Sequence, residues 1–349
     1  MRILDCGEVS LETAARALAE GKLVVIPTET VYGLGADAFN PEAVAKVFEA
    51  KARPSFDPLI VHLAELSDVE RAASAFPPMA RRLAESLWPG PLTLVLPKRP
   101  EVPGIVTSGL DTVALRLPSH PVARRIIALS GTLVAAPSAN PFGYISPTSA
   151  MHVARTLGDK VDYIVDGGPS AVGVESTVLD LSRDGPPRLL RPGGLPLERL
   201  RELAGDIAVA GAPESKAGHA PLSSPGQLAG HYAPSASLRL YPAGGLAALS
   251  RDEIGEGCAA IVLDEAAASA LARKGGFAAV FALSENGDLR EAASRLFALL
   301  HELDTSEYGS IMAERVPEKG LGLAINDRLS RAARGSGARR GSHTCGKTP

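Results

Sequence analysis

Short apolar runs that alternate with helical patterns fill residues 1–205 and limit the folds open to this chain. Most of the runs end in Pro, Gly, Ser or Thr, residues that typically follow a strand. The predicted strands lie at residues 23–27, 58–63, 92–97, 112–118, 132–138, 162–168 and 176–181. Because strands outnumber helices and several are short, we predict an α/β sheet of mixed strand direction rather than a regular doubly wound one.

The helical patterns lie between these runs, at residues 10–21 and 40–53. In the second pattern Asn40 has the side chain of an N-cap, Pro41 occupies the first helical position, and apolar residues recur from Val44 at helical spacing. The sequence therefore predicts a helix that begins at Pro41.

The pattern changes twice after residue 205. Residues 206–236 are rich in Ala, Gly, Pro and Ser and predict a linker, whereas residues 237–333 contain four strand–helix repeats. Such repeats predict a small parallel sheet flanked by helices. The last segment, 334–349, has basic residues, no acidic residue and no apolar core, and we expect a disordered basic tail.

Composition excludes several classes of protein. The 36 Lys and Arg nearly balance the 39 Asp and Glu, so nucleic acid could contact only a local basic patch. Cys6, Cys258 and Cys345 have no C-x-x-C spacing, which argues against structural zinc or disulfides and suits a reducing cytoplasm. No apolar stretch predicts a signal peptide or a membrane span.

The usual catalytic motifs are absent from the sequence. It has no P-loop, no G-x-S-x-G and no H-E-x-x-H. Residues 33–38 fit G-x-G-x-x-A, but five residues separate the preceding strand from Gly33 and the helix starts only at Pro41. A dinucleotide site is therefore disfavoured, because its glycines lie directly between strand and helix.

Polar residues instead gather at successive strand and helix ends. They are Thr28, Glu29, Thr30, Lys51, Arg53, His62, Arg116, Ser138, Asn140, Ser146, Thr148, Glu175, Ser176, Thr177, Arg188 and Arg191. Taken singly, such residues are usually solvated helix ends, core histidines or turns. Arg116 differs because it interrupts an apolar strand, where an unpaired charge costs several kcal/mol. Together the residues predict one lined cavity.

The predicted cavity is cationic and holds no nucleophile with an adjacent base. Lys51, Arg53, Arg116 and Arg191 would supply charge-assisted hydrogen bonds among small hydroxyls. This inventory favours the binding of phosphates and a carboxylate over covalent catalysis.

The ordered motifs resemble the YrdC-like family. They are PTETVYGLG, K-x-R-P with PLIVH, WPGPLTLVLP, VALRLPSHP, APSAN with SPT, and GVESTVLD with LLRPG. The linker SPGQLAGHYAP and the segment after it resemble the long, two-domain form of that family, so the likeness runs from about residue 10 to 330. Residues 227–230 depart from the family's usual Met, Lys and Arg, whereas residues 231–234 retain its pattern.

The resemblance implies a fold and a reaction. The fold is a twisted mixed α/β sheet around a large basic cavity in a catalytic domain at 1–205, a lid within 206–236, and a small Rossmann-like parallel α/β domain at 237–333. The reaction joins L-threonine, bicarbonate or CO2 and ATP into L-threonylcarbamoyl-adenylate and pyrophosphate. The product would pass to a tRNA threonylcarbamoyltransferase, which modifies adenosine 37. Mg²⁺ is expected with ATP, without assigned protein ligands, and tRNA would make at most a weak contact.

The resemblance also implies roles for individual residues. Threonine would be held by Thr30, His62, Arg116, Ala136 and Ser176, with Arg116 on its carboxylate. ATP would be surrounded by Arg53, Asp57, Thr112, Ser138, Ser146, Arg191 and Tyr232, with Tyr232 in the lid. Lys51 and Arg53 would form the catalytic basic wall. An amide is common in the family at position 57, and a carboxylate beside phosphates would need Mg²⁺ or a cation.

Two other functions compete with this one. The basic cavity and tail could hold tRNA without catalysis, as a binding module. Carbamoyl transfer, as in hydrogenase-maturation factors, is disfavoured because the sequence has neither their acylphosphatase segment nor their zinc-finger segment.

Overall fold

The computed structural model describes residues 1–209, 230–305 and 308–336. The chain forms two compact units. The first unit comprises Met1–Phe142 and Ser146–Gln227, and the second unit comprises Gly143–Ile145 and Leu228–Pro349. A three-residue segment of the N-terminal half therefore belongs to the second unit.

The first unit contains short strands and helices in alternation. Its strands are β1 (Arg2–Leu4), β2 (Val24–Ile26), β3 (Gly33–Asp37), β4 (Ile60–His62), β5 (Leu92–Pro97), β6 (Thr112–Arg116), β7 (Val134–Ala135), β8 (Tyr163–Val165), β9 (Thr177–Asp180), β10 (Arg188–Arg191) and β11 (Ala208–Val209). Its helices are α1 (Glu8–Ala19), α2 (Pro41–Lys51), α3 (Val69–Ala72), α4 (Pro78–Leu87), α5 (Gly104–Thr107), α6 (Pro121–Ser130), α7 (Ala150–Leu157) and α8 (Leu197–Ala204).

One sheet joins these strands in the order β1-β8-β2-β3-β7-β4-β6-β5-β9-β10-β11. Parallel pairs such as β4–β6 and β5–β9 alternate with antiparallel pairs such as β5–β6 and β9–β10. The predicted mixed sheet is therefore confirmed, and each predicted run contains a strand. The sequence pattern misses β1, β3, β10 and β11, because β3 is glycine-rich and β1 and β11 have only three and two residues.

Strand register places the core and the polar residues on one face of this sheet. Paired residues of neighbouring strands share a face. Helices α1 and α6 pack there against Val24 and Val134. Val134 is the register partner of His62, and His62 is the register partner of Arg116. The same face therefore continues across β4 and β6. It carries a smaller apolar cluster of Ile60, Val95, Ala114, Val178 and Leu190.

The second unit repeats strand and helix regularly. Its strands are β12 (Ser237–Tyr241), β13 (Cys258–Asp264), β14 (Ala279–Ser284) and β15 (Ser310–Glu314), and its helices are α9 (Arg251–Ile254), α10 (Glu265–Lys274), α11 (Leu289–Asp304) and α12 (Gly322–Gly335). The strands are parallel in the order β12-β15-β13-β14, as the repeats predict.

The predicted linker and tail lie largely outside the described residues. Strand β11 falls inside the range expected for the linker and pairs with β10, and residues 210–229 are not described. Helix α12 continues through Gly335, past the predicted start of the tail at residue 334, and residues 337–349 are not described. None of the helices in the described part of the chain has both the length and the apolar character needed to span a bilayer.

The predicted N-cap of α2 can be tested by substitution. The Asn40 side chain accepts hydrogen bonds at 3.1 Å from the amides of Glu42 and Ala43. We expect Asn40→Ala to lower the free energy of unfolding of the first unit by about 1 kcal/mol, and Asn40→Asp to preserve it. Urea denaturation followed by circular dichroism measures both. Equal stability of the alanine variant and the wild type would contradict the capping role.

Candidate active site

Strands β4, β6, β9 and β10 bring predicted site residues to one edge of the sheet. His62 and Arg116 end the parallel strands β4 and β6 and are register partners. Ser176 precedes β9 and Arg191 ends β10, and the antiparallel pairing of these strands puts the two residues side by side. Since β5 lies between β6 and β9, antiparallel to the first and parallel to the second, all four residues share this edge.

Arg116 is buried and paired, as a charge inside an apolar strand requires. Its Nη2 lies 2.8 Å from Oε1 of Glu29, and its Nη1 donates a 2.8 Å hydrogen bond to the Thr30 hydroxyl. The side chains of Arg116 and Glu29 are only 4% and 9% exposed. Glu29 is among the polar residues that predict the lined cavity, but the resemblance assigns it no role. Its pairing with Arg116 is the part that the sequence does not predict.

Burial and charge fix the protonation states of this group. Burial raises the pKa of Glu29, but the charge and hydrogen bond of Arg116, together with nearby backbone amides, outweigh burial and hold that pKa below its ordinary value. Burial, with repulsion from Arg116, lowers the pKa of His62 to about 3. Near neutral pH the group therefore consists of a carboxylate, a guanidinium and an uncharged imidazole.

Arg191 and Ser176 form a second hydrogen-bonded group. Nε and Nη2 of Arg191 donate to the carbonyl of Ser176 at 3.1 and 3.0 Å, and Nη2 also reaches the Ser176 hydroxyl at 3.1 Å. That hydroxyl lies 2.7 Å from the hydroxyl of Thr93 on β5. Gly193 permits this packing, because a Cβ there would lie 2.3 Å from the carbonyl oxygen of Glu175.

Lys51 is buried at the C-terminal end of α2. Its Nζ donates 2.5 Å hydrogen bonds to the backbone carbonyls of Ser138 and Asn140 in the loop after β7. Burial, followed by repulsion from Arg53, lowers the pKa of Lys51 well below its ordinary value. A solvated charge, the usual interpretation of a lysine at a helix end, is wrong here. Lys51 instead holds the loop that carries Ser138.

Arg53 and Asp57 form a buried ion pair, with Nη2 of Arg53 2.9 Å from Oδ2 of Asp57. Arg53 also donates to the carbonyls of Asp57 and Pro58 at 3.0 and 2.8 Å. Burial raises the pKa of Asp57, while the charges of Arg53, Lys51 and Arg191 oppose that shift. The three cations therefore lie close enough to Asp57 to influence its charge, and Arg53 directly accompanies the carboxylate at position 57. A solvated helix-end charge is the wrong interpretation for Arg53 also.

The remaining predicted residues of the first unit take different positions. The Ser146 hydroxyl donates a 2.5 Å hydrogen bond to Glu175. Ala136 is buried, and its amide donates to the carbonyl of Ile60 at 2.9 Å. Thr112 begins β6, four residues from Arg116, so it lies about 13 Å along the strand from the edge that Arg116 occupies.

Tyr232 lies in the second unit. The centroid of the Tyr232 ring lies 5.6 Å from the ring centroid of Phe297 on α11. Cζ of Arg328 on α12 lies 5.1 Å from the Tyr232 ring centroid. The backbone φ of Tyr232 is 63°, in the left-handed region, which residues other than glycine rarely adopt. Within the described residues, no group of three or more His, Cys, Asp or Glu side chains could hold a metal ion.

The low pKa of His62 predicts how stability depends on pH. The unfolded chain takes up a proton below the ordinary pKa of 6.5, whereas folded His62 does so only near pH 3, so stability falls as pH falls from 6.5 toward 3. We expect about 2 kcal/mol of this loss by pH 5, and its absence in His62→Gln. Urea titrations at several pH values measure it, with pH 7.5 as the control condition. Equal losses in both proteins would contradict the assignment.

Comparison with known proteins agrees with this geometry. Residues 16–193 match the family model described as "Telomere recombination", and residues 195–334 match the model described as "Threonylcarbamoyl-AMP synthase, C-terminal domain". The threonylcarbamoyl-AMP synthase of Pyrococcus abyssi is 44% identical over 331 residues, covering 93% of this chain and 94% of the relative. The Bacillus subtilis protein of that name is 41% identical over 351 residues, covering 95% of each chain.

A solved structure extends the likeness to the fold. The crystal structure of P. abyssi Sua5 complexed with L-threonine matches with a TM-score of 0.86 and 42% identity, covering 96% of this chain and 99% of the other. The sequence motifs, both family models and this structure agree along nearly the whole chain. The chain therefore belongs to the threonylcarbamoyl-AMP synthase family.

Proposed function

We propose that this chain condenses L-threonine, bicarbonate or CO2 and ATP into L-threonylcarbamoyl-adenylate and pyrophosphate. The observation that carries the proposal is the buried Arg116, beside an uncharged His62, on the edge that also holds Ser176 and Arg191. A guanidinium in such a place suits the carboxylate of an amino acid. The relative of known structure was crystallised with L-threonine.

The reaction needs no nucleophile from the protein. The threonine amine attacks the carbon of CO2 and loses a proton, which gives a carbamate. A carbamate oxygen then attacks the α-phosphorus of ATP, the bond from that phosphorus to the bridging oxygen breaks, and pyrophosphate leaves. The protein's contribution is to position the two substrates and to stabilise negative charge.

The threonine site, in this proposal, consists of Thr30, His62, Arg116, Ala136 and Ser176. Arg116 binds the substrate carboxylate beside the Thr30 hydroxyl, which accepts its hydrogen bond. The Ser176 hydroxyl, which bonds Arg191, is a further small polar group of the site. His62 remains uncharged and adds no repulsion toward the substrate amine. Ala136 contributes backbone.

The ATP site, in this proposal, consists of Arg53, Asp57, Thr112, Ser138, Ser146, Arg191 and Tyr232. Arg53 and Arg191 supply positive charge to the phosphates, and Asp57 is paired with Arg53. Lys51 acts by positioning the loop that carries Ser138, through its hydrogen bond to the Ser138 carbonyl. Mg²⁺ enters with ATP as part of the substrate.

The larger assignments are part of the same proposal. A basic cavity in a catalytic domain at 1–205 binds both substrates, residues 206–236 act as a lid, and the Rossmann-like domain at 237–333 follows. The enzyme works in the cytoplasm and passes its product to a tRNA threonylcarbamoyltransferase.

Release of pyrophosphate tests the function directly. We expect release that requires threonine, bicarbonate and ATP together and that continues without tRNA. Tight binding of tRNA without any threonine-dependent pyrophosphate release would instead favour the binding module.

Removing Arg116 tests the threonine site. We expect Arg116→Ala to raise the KM for threonine at least 100-fold, because the carboxylate loses its charged partner, and to change the KM for ATP far less. Arg188→Ala is the matched control. The sequence groups Arg188 with the cavity residues, but it is exposed and begins β10, at the opposite end from Arg191. Steady-state kinetics on folded variants measures both constants. An unchanged threonine KM in Arg116→Ala would refute the carboxylate role.

Deleting residues 220–349 tests the role of the lid and of the second unit. The deletion removes Tyr232. It also removes the Ala233 amide, which donates a 2.9 Å hydrogen bond to the Gly143 carbonyl, and the Asp304 carboxylate, which accepts a 2.5 Å hydrogen bond from the Tyr144 hydroxyl. We expect a folded fragment with kcat/KM at least tenfold lower. Circular dichroism and kinetics check fold and turnover separately. Full activity in the fragment would make the linker only a tether.

A further inference from the structure

Glu29 is a buried carboxylate that pairs with Arg116 and lies near the backbone amides of Glu29 and Ser119. Its Oε1 lies 2.8 Å from Nη2 of Arg116, yet neither Oε1 nor Oε2 accepts a hydrogen bond of ordinary geometry from the described residues. Nη2 of Arg116 is likewise buried and donates no such bond within that part of the chain. Buried polar groups are normally hydrogen-bonded with good geometry, so this carboxylate and Nη2 of this guanidinium are the polar groups of the site best suited to bond a ligand.

The charges around this pair sum to zero. Glu29 is anionic, Arg116 is cationic and His62 is uncharged near neutral pH. A buried neutral group gives no net attraction to a simple carboxylate anion, whose desolvation would remain uncompensated. A zwitterion supplies one charge of each sign and therefore matches the pair.

We propose that Glu29 binds the amino group of the substrate while Arg116 binds its carboxylate, so that the site selects an α-amino acid rather than a hydroxy acid. The inference rests on the proposed threonine site and adds a specificity-determining residue to it. An ammonium and a neutral amine both donate hydrogen bonds to a carboxylate, so the contact persists when the amine loses a proton before it attacks CO2.

Comparison of two ligands in two proteins tests the proposal. L-Threonine and (R)-3-hydroxybutanoate differ only in the amino group, and isothermal titration calorimetry gives the affinity of each. We expect the wild type to bind threonine at least tenfold more tightly than the hydroxy acid. In Glu29→Gln, which keeps the shape of the side chain and removes its charge, that ratio should fall below threefold. A purely structural role would weaken both ligands and leave the ratio unchanged.

A second buried acid controls for general destabilisation. Asp68 is paired with Arg71 at 3.0 Å and caps the amides of Ala64 and Glu65, so Asp68→Asn also removes a buried paired charge. We expect it to keep the wild-type ligand ratio. If Glu29→Gln does not fold, Glu29→Asp carries the same comparison and should give a reduced ratio.

The outcomes distinguish failure of the Glu29 contact from failure of the proposed threonine-dependent function. An unchanged ratio in a folded Glu29 variant would overturn the amine contact while threonine binding stands. Failure of the wild-type protein to bind threonine would overturn the proposed function and this inference together.

Discussion

The ion pair between Arg116 and Glu29 is the interaction on which the candidate site depends. Placing a guanidinium inside an apolar strand requires a nearby opposite charge, and Glu29 supplies it at 2.8 Å. Burial lowers the pKa of His62, and the positive charge of Arg116 lowers it further while Glu29 opposes that shift, so the imidazole is uncharged near neutral pH. The buried group of Glu29, Arg116 and His62 thus offers polar atoms to a substrate and carries no net charge.

Sheet topology explains why residues far apart in sequence meet at this site. From β4 to β10 parallel and antiparallel pairs alternate, so the ends of β4, β6 and β10 lie at the same edge of the sheet as the start of β9. Lys51 then ties the loop after β7 to the end of α2 through two carbonyls. The short strands of this mixed sheet bring their polar ends together. A regular doubly wound sheet would instead spread such residues along a single crevice.

The sequence predicts much of this and misses parts of it for identifiable reasons. Apolar runs locate most strands and all four repeats of the second unit, and the alternation around Arg116 correctly indicates a paired charge. Strand β3 escapes because its glycines resemble a turn, although they serve close strand packing. The solvated interpretation fails for Lys51 and Arg53 because their hydrogen-bond acceptors are backbone carbonyls, which no side-chain pattern reveals. The pairing of Glu29 with Arg116 is not predicted, because the two residues lie 87 positions apart in the sequence.

A crystal structure with L-threonine and a non-hydrolysable ATP analogue tests the central claim most directly. We predict that the threonine carboxylate lies within hydrogen-bond distance of the Arg116 guanidinium and that the triphosphate lies beside Arg53 and Arg191. Threonine bound away from Arg116, or phosphates on a different surface from Arg53 and Arg191, would contradict it.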